Sequence, residues 1–249
     1  MAGVEAVEVP LKTRTSDLRV RVVSAIVMLV VAGGALWLGG WAWRIFVILV
    51  GAGVLWEWQR LVLRFASAAL PRTVWAIAGL LYTGVTVAAL IVLRDIGWPI
   101  IVVLIALVVA TDVGAYFSGR TFGGPKIAPR ISPSKTWAGL IGGMILAVIS
   151  GMAALHLLAD FSMEEPTFLD GVSFAVLAVV SQAGDFFESW MKRKAGVKDS
   201  SNLIPGHGGL FDRFDGLLAV VFALGLAVAI GSLFPAASTP VEVGSVKYP

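Results

Sequence analysis

Between its charged residues the chain leaves seven apolar runs, and a hydrocarbon core needs about 20 such residues to be crossed by a helix. Residues 22–43, 73–93 and 136–159 carry no charge at all. Residues 45–56 are too short alone and cross only with residues 41–44 at the interface. Residues 96–111 continue past Asp112 to about Ser118, and residues 171–184 continue past Asp185 to about Trp190. The last run, 216–241, is expected to end near Pro235. Hydrophobic residues make up 58% of the chain and charged residues 14%, against about 25% charged in a soluble domain. So little polar surface excludes a soluble enzyme, a disordered chain and a coiled coil. Alternating strands of about 10 residues are absent, which argues against an outer-membrane barrel. The expected fold is all-α, a polytopic helical membrane protein with about seven transmembrane helices.

The connections give a direction. Lys12, Arg14, Arg19 and Arg21 precede the first span; Arg60, Arg64 and Arg72 follow the second. Arg120, Lys126, Arg130 and Lys135 follow the fourth, and Lys192, Arg193, Lys194 and Lys198 the sixth. The alternate connections hold Gly39 and Gly40, then Arg94 with Asp95, then Asp160, Glu164, Glu165 and Asp170. By the positive-inside rule the N-terminus is cytoplasmic and the C-terminus outside. The first apolar run lacks a small-residue cleavage site, so no cleavable leader is expected. A net charge of +3 is too small to suggest a nucleic-acid partner, and the absence of cysteine excludes disulfides and thiolate chemistry. Residues 1–18 and 236–249 are expected to be flexible tails. Residues 19–104 are expected to form N-terminal transmembrane helices, and 105–235 a catalytic transmembrane part with cytoplasmic loops.

Spans one to three read as ordinary lipid-facing or packing helices, and unusual polar residues begin at Asp112. Asp112, Tyr116, Gly119 and Arg120 form one helical stripe, which is either a buried Asp112–Arg120 pair or the wall of a cavity. Ser132, Pro133, Lys135 and Thr136 precede a predicted helix and make a candidate anion cradle, with Lys126 upstream; a capped helix with positive-inside lysines would look the same. Gln182, Asp185, Glu188, Ser189 and Lys192 share a face of span six. Carboxylates one turn apart point to a metal, and oxygen-only ligands suit Mg2+ rather than Zn2+. Residues 205–209 form a glycine-rich turn around His207, followed by Asp212 and Asp215 on one helical face and by Arg213, a candidate phosphate fork. His156 reads as a packed histidine near the outer end of span five.

The stretch Ser189, Met191, Lys192, Arg193, Lys198, Asp199, Ser201, Ile204, Pro205, His207, Gly208, Gly209, Leu210, Asp212, Arg213, Phe214 and Asp215 resembles the full signature of phosphatidate cytidylyltransferases, also called CDP-diacylglycerol synthases. The upstream Asp112, Tyr116, Gly119, Arg120, Ser132, Pro133, Lys135, Thr136 and Trp137 are similar to that family's pattern, as are Gln182 and Asp185. The likeness covers about residues 105–235. Ser134 and Ala138 stand where many members have lysine and glutamate, which puts more weight on the other basic groups.

The resemblance implies that CTP and phosphatidic acid react to CDP-diacylglycerol and pyrophosphate, with Mg2+ as cofactor, in phospholipid synthesis at a bacterial cytoplasmic membrane. It implies Asp185 and Asp212 as metal ligands with Asp215 in support, and Lys135 and His207 as further catalytic candidates. Asp112, Tyr116, Arg120, Lys126, Ser132, Lys135, Glu188, Ser189, Lys192, Arg193, Lys198, Asp199, Gly208, Gly209 and Arg213 are expected to contact substrate. CTP, phosphatidic acid and membrane lipid are the expected partners, no nucleic acid is expected, and a homodimer is an assembly open to such a chain. Two other readings stand beside it: a CTP-dependent lipid or polyprenol kinase, and an ion-coupled transporter. A CDP-alcohol phosphotransferase is set aside, because Val220 follows Ala219 where that motif needs arginine.

Overall fold

The computed structural model describes residues 11–157 and 167–233, and their order is seven helices and one short hairpin: α1 (Leu11–Leu38), α2 (Gly40–Phe65), α3 (Ala69–Ile96), α4 (Trp98–Phe122), β1 (Lys126–Ala128), β2 (Ser132–Thr136), α5 (Trp137–Leu157), α6 (Phe168–Lys194) and α7 (Phe211–Leu233). All seven helices are long and apolar enough to span a membrane, so the all-α polytopic expectation holds. The expected tails, and Asp160, Glu164 and Glu165, lie outside the described residues, except that α1 already begins at Leu11.

Local chemistry sets the boundaries. Gly39 (φ 63°) and Gly40 (φ 49°) turn the chain between α1 and α2 in a left-handed conformation that side chains rarely tolerate. Arg94, at the end of α3, reaches across and donates to the Leu36 carbonyl at 2.8 Å, satisfying one of the orphan carbonyls that end α1. Pro99 sits in the first turn of α4, where its missing N–H costs nothing. Thr136 closes β2 and its hydroxyl accepts from the Gly139 amide, so it caps α5. Thr167 and Asp170 form a reciprocal capping box at the start of α6.

Three sequence expectations change. The helices run through charges that bound the apolar runs: α2 continues through Arg44, Glu57, Arg60 and Arg64, and α7 begins at Phe211 rather than Gly216. The segment holding Ser132 and Lys135 does lead into α5, but as an antiparallel hairpin strand that the sequence did not announce, with Lys126 opposite Thr136 and Ala128 opposite Ser132. His156 is exposed at the end of α5 rather than packed.

The helices pack through small residues, as expected where lipid supplies no hydrophobic drive between them. The closest pair is α4–α5. A Cβ at Gly114 would lie 2.5 Å from the Gly142 carbonyl oxygen, and one at Gly143 would lie 2.8 Å from the Thr111 carbonyl oxygen. Buried threonine hydroxyls avoid orphan status by donating back along their own helices, Thr83 to Gly79 and Thr111 to Leu107. At one end of the bundle an aromatic cluster forms around Trp58, whose indole donates to the Trp75 carbonyl and whose ring stacks on Tyr82. α1 is peripheral, with none of its spanning window buried.

The basic connections meet at one end. Arg193, in the last turn of α6, donates to the Ile131 carbonyl and links the end of that helix to the hairpin. Ser24 on α1 donates to the Pro205 carbonyl, and Gly206 packs on Arg21. At the opposite end Arg44 pairs with Asp95 at 3.0 Å.

The α4–α5 seam yields a stability prediction. Gly114→Ala and Gly143→Ala should each destabilise the purified protein by about 1–3 kcal/mol, the usual cost of overpacking. Gly33→Ala on α1, where a Cβ meets nothing within 4 Å, should be neutral or slightly stabilising. Thermal unfolding in detergent checks this, and three indistinguishable transitions would contradict the seam.

Candidate active site

The site begins with two glycines that let α6 and α7 approach. A Cβ at Gly184 would lie 2.7 Å from the Asp215 carbonyl oxygen, and one at Gly216 would lie 2.5 Å from Ser181 Oγ. This contact puts the α6 residues Asp185 and Glu188, one turn apart, beside Asp215 of α7. Carboxylate oxygens of the three lie within 4.8 Å of one another.

Two lysines answer that charge. Lys135, delivered by the hairpin, forms an ion pair with Asp185 and lies 4.7 Å from the centre of the Phe186 ring. Lys192 Nζ lies 2.5 Å from Glu188 Oε2 and 2.7 Å from Asp212 Oδ1. Four carboxylates therefore face two ammonium groups. Glu188 is 1% exposed, and neither of its oxygens has a hydrogen-bond partner of good geometry; the contact with Lys192 is a charge contact. Carboxylates crowded together away from water are stabilised by bound protons or by a further cation, and the cluster is therefore a candidate cation site. Oxygen donors from Asp185, Glu188 and Asp215 fit a hard divalent ion such as Mg2+.

Beside Asp185 lies a cavity of about 400 Å3 with a charged wall. Asp112, Tyr116 and Arg120 come from α4, Lys126 and Lys135 from the hairpin, and Gln182 and Asp185 from α6. Gln182 donates to Asp112 at 3.2 Å, and Arg120 donates to the Tyr116 hydroxyl at 3.2 Å. Asp112 and Arg120 thus both line the cavity, with separate bonding partners, rather than forming the buried pair that was the alternative.

Asp212 is not one of the three but adjoins Glu188 through the Lys192 that both share. Its Oδ2 accepts from the Ser200 amide (2.8 Å), the Ser200 hydroxyl (2.7 Å) and the Gly209 amide (2.8 Å), while Oδ1 receives Lys192. Of the metal set expected from sequence, Asp185 and Asp215 are brought together, and Glu188 occupies the third place. The reason is register: Asp215 sits opposite Gly184, whereas Asp212 is a turn earlier, at the loop.

The remaining expected residues spread around this centre. Ser189 donates to Asp185 at 3.3 Å. Arg213 donates to the His207 carbonyl at 2.8 Å, and Arg193 braces the hairpin, so both hold loops in place. Lys198 and Asp199 are exposed on the same loop. Gly208 takes φ 87°, and a Cβ at Gly209 would collide with Ser200 and Glu57. Ser132 lies on β2 and is not among the residues lining the polar cavity. His207 is held at α1 instead, with Nδ1 2.8 Å from the Ser24 hydroxyl.

Glu57 of α2 escaped the sequence reading. It is fully buried and accepts from Ser200 Oγ, Ser201 Oγ and the amides of Leu210 and Phe211. Its signal was present, a lone acid closing an apolar run with no acidic neighbour.

Residues 62–230 match the sequence model of the Cytidylyltransferase family. A phosphatidate cytidylyltransferase of Brucella suis is 35% identical over 270 residues, covering 90% of this chain and 97% of the relative. That of Pseudomonas aeruginosa is 34% identical over 257 residues, covering 82% and 94%. That of Haemophilus influenzae is 47% identical over 116 residues, covering 46% and 40%. With the matched region taking in α3 to α6, the hairpin and nearly all of α7, the chain belongs to the cytidylyltransferase family.

Proposed function

We propose that this chain transfers the cytidylyl group of CTP to phosphatidic acid, forming CDP-diacylglycerol and pyrophosphate, at the cytoplasmic face of a bacterial inner membrane. The observation that carries the reading is the set of three clustered carboxylates, flanked by Lys135 and Lys192, beside a charged cavity at the basic end of an apolar bundle. The names of the relatives support the choice of lipid and nucleotide. The positive-inside bias supports the orientation, because the basic connections converge at this end.

The phosphate of phosphatidic acid is largely dianionic near neutral pH, since a phosphate monoester's second pKa is about 6. One of its oxygens attacks the α-phosphorus of CTP, a new P–O bond forms, and the bond to the β-phosphate oxygen breaks with its electrons leaving on pyrophosphate. No base has to remove a proton. The difficulty is repulsion between two polyanions, which this chain meets with positioned cations. Lys135, at the boundary between the cavity and the trio, is suited to neutralise phosphate in flight. Arg120 and Lys126 add positive charge on the cavity wall, and Lys198 on the loop. Asp185, Glu188 and Asp215 would hold Mg2+, with Asp212 ordering the loop in place of a ligand role. When bound, the ion would screen phosphate charge and stabilise the charge growing on the leaving group. His207, bonded at α1, is left as a loop-docking residue rather than a nucleophile or base.

The purified protein with CTP labelled at the α-phosphate, phosphatidic acid and Mg2+ should yield labelled lipid and one pyrophosphate per lipid formed. A lipid kinase would instead release labelled CDP, and a transporter would leave CTP intact; either result overturns the proposal. In the same assay Lys135→Ala should lower kcat on the order of 10²-fold or more, the usual loss when one positioned charge donor is removed. Unchanged turnover in that variant would remove Lys135 from the chemistry.

A further inference from the structure

We propose that Glu57, on a helix outside the expected catalytic part, is a positioning residue for this reaction: it sets the start of α7 and the preceding loop, and through them the place of Asp215 in the trio. The inference rests on the cytidylyl-transfer reading above.

All four of its hydrogen bonds go to one segment. Ser201 Oγ donates at 2.5 Å, Phe211 N at 2.6 Å and Leu210 N at 2.9 Å, and Ser200 Oγ, whose one proton Glu57 shares with Asp212, lies at 3.1 Å. Phe211 is the first residue of α7, so Glu57 satisfies helix-start amides that the chain's own loop leaves open. A carboxylate at a helix N-terminus also meets the positive end of the helix dipole. The cap is supplied by a different helix and therefore fixes α7 relative to α2. Side chains register the same seam. A Cβ at Gly53 would collide with the Leu210 side chain, and the Trp58 and Phe211 rings lie 5.9 Å apart.

The connection reaches the charged centre in three steps. Ser200 Oγ sits between Glu57 Oε2 and Asp212 Oδ2 and has a single proton to donate. Asp212 receives Lys192, and Lys192 contacts Glu188. Asp215 follows Asp212 by one helical turn. A shift of the α7 start therefore moves Asp215 against Gly184 and disturbs Lys192 together, while the α4–α5 seam is untouched.

The test uses the full-length protein in detergent with Glu57→Gln, Glu57→Ala and Glu57→Asp. Glutamine keeps the shape but turns one acceptor into a donor facing amide and hydroxyl donors. Its kcat should fall about tenfold or more, with alanine lower still and aspartate recovering part of the loss. The KM for phosphatidic acid should stay within about threefold, and the Mg2+ concentration for half-maximal rate should rise. Hydrogen exchange should accelerate at 200–211 and stay unchanged at 111–118 and 139–147. A uniform rise in exchange, with kcat per folded molecule preserved, would overturn the positioning role. So would Glu57→Gln with parental kcat and parental exchange. If Glu57→Ala does not fold, the glutamine and aspartate arms decide by the same two readouts. A parent protein that forms no labelled lipid refutes the cytidylyl-transfer reading instead, and the exchange pattern still decides whether Glu57 holds the α7 start.

Discussion

Four carboxylates within reach of two lysines are an unfavourable arrangement in a bundle surrounded by lipid. Asp185, Glu188, Asp212 and Asp215 would repel strongly at the low effective dielectric of such a site, and Lys135 and Lys192 answer only part of the charge. Much of the surrounding structure follows from holding this cluster together. Gly184 and Gly216 remove the side chains that would keep α6 and α7 apart. The hairpin exists at the one place where a lysine must be carried from the α4–α5 pair onto α6. Ser200 and Gly209 spend their donors on Asp212, which leaves Lys192 shared between Asp212 and Glu188.

The two halves of the chain have different tasks but are not separable. α4 to α7 supply the residues that face the cavity and the trio, while α2 supplies the carboxylate that caps α7. α1 adds a second link through Ser24, Pro205 and His207. The opposite end needs less: Arg94 closes α1, and Arg44 pairs with Asp95. Charge is thus placed where helices must be joined at both ends, and it is concentrated at one end where phosphate chemistry is proposed.

The span count was legible because charges interrupt hydropathy, and a helix buried in lipid tolerates few of them. The boundaries were not, because α2 and α7 carry their charges on the helix itself: Glu57 is buried under the loop, Asp212 bonds that loop, and Asp215 joins the trio. Helical spacing correctly joined Asp185 with Glu188, which share a helix. It could not tell Asp212 from Asp215, because their difference lies in the register of α7 on α6. His207 drew attention as a histidine among glycines with nothing to pack on; α1, distant in sequence, supplies its partner. Glu57 was hidden by the same distance, since its partners are more than a hundred residues away.

Asp185, Glu188 and Asp215 together are proposed to make a divalent-cation site. Titration of the purified protein with Mn2+, followed by electron paramagnetic resonance, reads that site without any turnover. Saturable binding competed by Mg2+ is expected, weakened about tenfold or more in Asp185→Asn and Asp215→Asn, and close to parental in Asp212→Asn, whose carboxylate serves the loop. Parental binding in the Asp185 and Asp215 variants, or loss of binding confined to Asp212→Asn, would contradict it.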